Sequence, residues 1–145
     1  MTALAALTGG VDGLSLGLQF NPMAAAVGAV AAAALAGYPK APRKRLVWAW
    51  VTLAAAWAIG DGIRIAGSAV SDPRYGSAYI AVVLWSVVSF AVGYALPAST
   101  GMFVGRRVTH GTGWLSAGTV ALTMSLALAA LAPRLADGVR FLSGR

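Results

Sequence analysis

From Met23 to Gly37 the chain reads MAAAVGAVAAAALAG, and further apolar runs follow it, separated by short clusters of charge and turn residues. No other feature constrains the fold as tightly. A run of this kind at membrane depth has no water to satisfy its backbone, so it must satisfy itself as a helix or as part of a closed barrel. These runs are continuous rather than alternating, which selects the helix. Only 10% of the residues are charged and 59% are hydrophobic, whereas a soluble domain carries about a quarter of its residues as charges. The expected class is an all-α integral membrane protein, a single domain over residues 1–145 with lipid as its solvent.

Four transmembrane helices are predicted, over residues 14–37, 46–70, 78–96 and 114–132 approximately, followed by a short amphipathic tail at 133–145. In the first, Pro22 either opens a helix capped by Asn21 or kinks a longer one. A helix opening at Pro22 spans only about 24 Å, short of a ~30 Å hydrocarbon core, so the longer, kinked helix is expected. The third span is expected to stop at Pro97 and the fourth at Pro133. A five-span arrangement, with residues 2–20 crossing separately, is the alternative. Trp48, Tyr75, Tyr79, Tyr94 and Trp114 fall near predicted ends, as an interfacial aromatic belt requires. No Lys or Arg precedes Lys40, so the basic region of a cleavable signal is missing and the first segment is expected to remain in the mature protein.

Orientation follows from loop charge. Lys40, Arg43, Lys44, Arg45, Arg106 and Arg107 belong to one side, against Arg74, Arg134, Arg140 and Arg145 on the other. The tight early cluster assigns its side to the cytoplasm and both termini to the outside. The prevalence of Arg over Lys, with abundant Ala and Gly, points to a GC-rich bacterial genome and so to a bacterial cytoplasmic membrane. A net charge of +7 also raises nucleic acid as a partner. The cations lie beside apolar runs rather than among aromatics on a polar surface, which selects the lipid bilayer as the partner instead.

The stretch WAIGDGIRIAG holds Asp61 and Arg64, three residues apart inside an apolar run. At that spacing two side chains share a helix face and can meet. Asp61 is expected roughly 9 Å from the outer end of its span and Arg64 roughly 4.5 Å from it, so the arginine snorkels more easily than the shorter aspartate. An isolated charge at a helix centre costs about 2.5–3.5 kcal/mol on insertion scales, so pairing toward the bundle interior is the expected relief. Two roles fit. The pair fixes helix register or anchors a partner subunit, or Asp61 handles a proton or cation while Gly60 and Gly62 let the helix unwind and offer carbonyl oxygens. Ser86, Ser89, Ser116, Thr119 and Thr123, with Asn21, are the candidates for a relay to Asp61, although such hydroxyls more often bond their own backbone.

Small residues recur every four positions at Gly9, Gly13, Gly17, Ala25, Ala29, Ala33 and Gly37, which makes the first helix a packing surface for another helix. Its own bundle, a second copy or a foreign subunit all satisfy that requirement. The run GRRVTHGTG, with Arg106, Arg107 and His110, joins Lys40, Arg43, Lys44 and Arg45 as candidate lipid-headgroup contacts. It lacks the lysine and the preceding strand of a phosphate-binding loop. LPASTG, at Leu96–Gly101, has one residue too many to read as a sortase signal and is followed by a further span.

Enzyme chemistry is not expected. The absence of cysteine removes disulfides, thiolate metal sites and cysteine nucleophiles. One histidine cannot supply a three-histidine zinc site. No nucleophile stands beside a base, and no catalytic residue, metal or cofactor is assigned. The sequence therefore supports a non-catalytic subunit or accessory protein of a larger transport or respiratory membrane complex. The alternatives are a small self-assembling proton- or cation-linked transporter using Asp61 and, at lower weight, a holin-like pore former. The partner is accordingly either another membrane protein or a second copy.

Overall fold

The computed structural model describes residues 20–71, 79–108 and 111–142, and these are helical with no strand. Helix α1 covers Pro22–Ala36; α2, Arg43–Trp57, runs through a π-helical segment, Ala58–Gly62, into α3, Ile63–Ser71. Helix α4, Tyr79–Val88, likewise runs through a π-helical segment, Ser89–Ala95, into α5, Leu96–Arg107; α6 covers Gly113–Leu142. Three stretches, Arg43–Gly67, Ser86–Arg107 and Gly113–Gly138, are long and apolar enough to cross a membrane, and α1 is a shorter apolar helix. The chain is thus a multi-pass, all-helical membrane protein.

Helix α1 opens at Pro22 rather than running through it, which corrects the kinked helix expected from residue 14. Asn21 has extended backbone (φ −72°, ψ 110°), and its side-chain oxygen accepts from the amides of Met23 at 3.1 Å and Ala24 at 3.2 Å. Two otherwise unsatisfied amides are thereby capped, and Pro22 occupies the first helical position, where its missing N–H costs nothing. Gly9, Gly13, Gly17 and the proposed separate crossing of residues 2–20 lie outside the described residues, apart from Phe20 itself.

Both predicted proline stops are also corrected. The third helix continues past Pro97 to Arg107, and the fourth continues past Pro133 to Leu142, so there is no separate tail helix over 133–142. Pro97 lies two residues past the end of the Ser89–Ala95 π segment, whose wider turn makes room for a ring that would otherwise press on the carbonyl four residues back. Pro133 lies within a stretch apolar enough for lipid, where opening the helix would strand further backbone groups without water.

The core is built from very small side chains. Ala25, Ala29, Ala33 and Gly37 are buried, and the face they form packs against α2, α5 and α6 of the same chain. A Cβ added at Gly101 would lie 3.0 Å from Cβ of Ala121 and 3.1 Å from that of Ala33. One added at Gly113 would lie 2.6 Å from the carbonyl oxygen of Gly105 and 3.2 Å from that of Gly37. Three backbones therefore converge at the end of the bundle where Gly37, Gly105 and Gly113 meet. Large apolar side chains point the other way: Met23, Val27, Ile59, Ile63 and Phe103 are exposed, as a lipid-facing surface requires.

Candidate functional site

Asp61 lies inside the first π segment and is fully buried, the one buried charge among the described residues. Arg64 donates to its Oδ1 at 3.0 Å, so the two residues of the WAIGDGIRIAG stretch do meet, with the arginine side chain 41% exposed and the aspartate 0%. The sequence spacing is enough to explain this contact, because Asp61 and Arg64 are neighbours along one helix.

The remaining donors come from elsewhere in the chain. The backbone N–H of Asn21 is shared between Oδ1 and Oδ2, each at 2.9 Å. The Tyr94 hydroxyl donates to Oδ2 at 2.6 Å. Tyr94 is itself fully buried and lies in the second π segment, so each π segment contributes one member of the pair. Tyr94 was expected in the interfacial belt. Its true position follows from the corrected third helix, which runs on to Arg107 and leaves Tyr94 well inside a crossing.

The first turn of α1 points its positive dipole end toward this carboxylate, with Asn21 contributing both the amide that reaches Asp61 and the side chain that caps the helix. Gly60 makes the convergence sterically feasible. A Cβ there would stand 2.7 Å from the Tyr94 hydroxyl and would collide with Cβ of Ala24. The glycines around Asp61 therefore admit neighbouring groups, and the helix between them is widened rather than unwound. Beside the clamp, Trp57 donates its indole N–H to Ser89 at 3.4 Å and meets Phe90 edge to face at 6.0 Å.

The hydroxyl stripes do not extend to Asp61. Thr119 and Thr123 bond the carbonyls of Leu115 and Thr119, both at 2.9 Å, and Ser125 on the same helix is buried with no hydrogen-bond partner. A cleft of about 330 Å³, lined by Phe20, Asn21, Gly60 and Arg64, adjoins the clamp. No group of three or more His, Cys, Asp or Glu side chains is placed to hold a metal among the described residues.

At the far end of α1 the predicted headgroup contacts separate. Arg106 donates to the carbonyl of Ala36 at 3.0 Å, completing the end of α1. The Arg107 guanidinium lies over the Phe103 ring at 4.2 Å and that of Arg45 over the Tyr38 ring at 5.4 Å. Lys40, Arg43 and Lys44 are exposed, and His110 lies outside the described residues.

Chemically, the site is a carboxylate clamp. An ionised carboxylate only accepts hydrogen bonds, and here both oxygens are occupied by an amide, a phenol and a guanidinium belonging to three helices. Each bond to a charged group is worth about 1.5–3 kcal/mol where water is excluded. Comparison with known proteins returns no relative: no family model, curated protein or solved structure matches this chain.

Proposed function

We propose that this protein is a non-catalytic subunit or accessory protein of a larger membrane assembly of the transport or respiratory kind. In this reading it is a four-span bundle in a bacterial cytoplasmic membrane with both termini outside. The observation that carries the reading is the saturation of Asp61: its two oxygens are taken up by donors of this chain, and Arg64 balances its charge. A carboxylate so occupied holds helices in register. The 30-residue helix α6 supports a partner-facing role, because at about 45 Å it is twice the length of α1 and ends with Phe141 and Leu142 exposed. The buried stripe of α1 is satisfied within the chain and lends the reading no weight.

The test is gentle extraction of the tagged full chain from its native membrane, followed by mass determination of what travels with it. A discrete complex containing other subunits is expected. A monomer or pure homo-oligomer in every mild detergent would overturn the proposal.

The cleft beside Arg64 and Gly60 favours a second reading, in which Asp61 exchanges one of its donors for a proton or cation entering from that side. Purified protein in liposomes would then move an ion in a pH-dependent way that Asp61→Asn abolishes. Absence of flux, or flux indifferent to that substitution, ends this reading.

A further inference from the structure

The opposite end of the bundle holds a recess of about 800 Å³ whose lining includes Ala34, Tyr38, Lys40, Arg45, Gly111 and Trp114. Its composition is stratified. Lys40 and Arg45 supply two cations, Tyr38 and Trp114 supply rings, and Ala34 belongs to the apolar wall of α1. Arg45 is held over the Tyr38 ring, which orients the guanidinium without neutralising it.

The charge here is not matched by an acidic side chain among the described residues. Among the described residues the acids are Asp61 and Asp137. Asp61 lies roughly 27 Å along its helix from Arg43, and Asp137 roughly 36 Å along α6 from Gly113, so neither approaches this end. The first turn of α2 carries Arg43, Lys44 and Arg45 with no acidic residue and no side-chain cap, against the sign its dipole prefers. Arg106, which could have joined the recess, is committed to the Ala36 carbonyl. An anion from outside the chain would balance these cations, at a depth where helices leave the bilayer and aromatic residues are favoured.

We propose that this recess binds the phosphate of an anionic glycerophospholipid, with Lys40 and Arg45 engaging its oxygens and Trp114 and Ala34 lying along the upper part of its acyl chains. Juxtamembrane cations attract anionic headgroups, and the aromatic and alanine surfaces add the apolar contact that a free phosphate would not use. The site is independent of the Asp61 clamp and of the proposed assembly.

Native mass spectrometry of the full chain in detergent, titrated with phosphatidylglycerol, phosphatidylcholine or inorganic phosphate, tests this directly. One phosphatidylglycerol should be retained at least about tenfold more tightly than phosphatidylcholine, and Lys40→Gln with Arg45→Gln should weaken it about thirtyfold. Arg134→Gln, near the far end of α6, should leave it unchanged. Tyr38→Leu keeps both charges and removes only the ring beneath Arg45, so a loss of about two- to fivefold is expected even if the double variant does not fold. Equal retention of the two lipids, or equal loss in the Arg134 variant, would reduce the effect to general charge attraction and overturn the site. Displacement of the lipid by an equal concentration of inorganic phosphate would assign the recess to a soluble phosphate compound and overturn it equally.

Discussion

The two ends of α1 are held by different physics. Where Gly37, Gly105 and Gly113 converge, the helices approach until backbone meets backbone, with the Arg106 bond to the Ala36 carbonyl beside them. Where Asn21, Asp61 and Tyr94 converge, charge-assisted hydrogen bonds join three helices at two widened turns. Lipid tails are as apolar as a leucine side chain, so burial from water cannot drive helices together within a bilayer. Close dispersion contact and internal hydrogen bonds are the two devices left, and this chain lets the first dominate at one end of α1 and the second at the other. The small-residue end should tolerate loss of polarity but not gain of volume, and the clamp should show the reverse preference.

The largest effect is expected at the clamp. Asp61→Ala leaves the buried Tyr94 hydroxyl and the Asn21 amide without their acceptor, which should cost about 2–5 kcal/mol of unfolding free energy in mixed micelles. A loss below about 1 kcal/mol would mean that the clamp contributes little and that the glycine end carries the bundle. Next comes volume at that end. Gly105→Val should cost about 1–3 kcal/mol by overpacking against Gly113 and Ala117. Gly138→Ala on α6, where no described atom lies within 4 Å of the new methyl, should be neutral or stabilise by about 0.5–1 kcal/mol through helix propensity alone. If the two glycines respond alike, close backbone approach is not what holds this end.

The smallest effect is the sharpest discriminator between the clamp and ordinary buried polarity. Ser125 is as buried as Asp61 but has no hydrogen-bond partner, so Ser125→Ala should change stability by no more than about 0.5 kcal/mol or raise it slightly. A loss comparable to that of Asp61→Ala would show that any polar group removed from this core is costly, and the clamp would lose its special standing.

What could be read from the residues in order was mostly local or compositional. The apolar runs defined a helical membrane protein, and the three-residue spacing of Asp61 and Arg64 anticipated a contact that needs no knowledge of the fold. Tyr94 was misplaced for a definite reason. The third helix was expected to end at Pro97, which set Tyr94 near an interface, whereas it runs on to Arg107. The proline stops failed for a related reason, since a rule founded on helices in water underestimates the cost of ending one in lipid. Asn21 was among the residues expected to reach Asp61, although it does so through its backbone amide, and the second clue was Gly60, whose missing side chain was read as freedom to unwind. It is the space occupied by Ala24 and the Tyr94 hydroxyl.

A double-mutant cycle between Asp61→Asn and Tyr94→Phe, read as unfolding free energy in the same mixed micelles, tests the clamp most directly. A coupling of about 1.5–3 kcal/mol is predicted, because the phenol and the carboxylate bond each other across two helices. Additivity within about 0.5 kcal/mol would show that they do not, and would contradict the clamp.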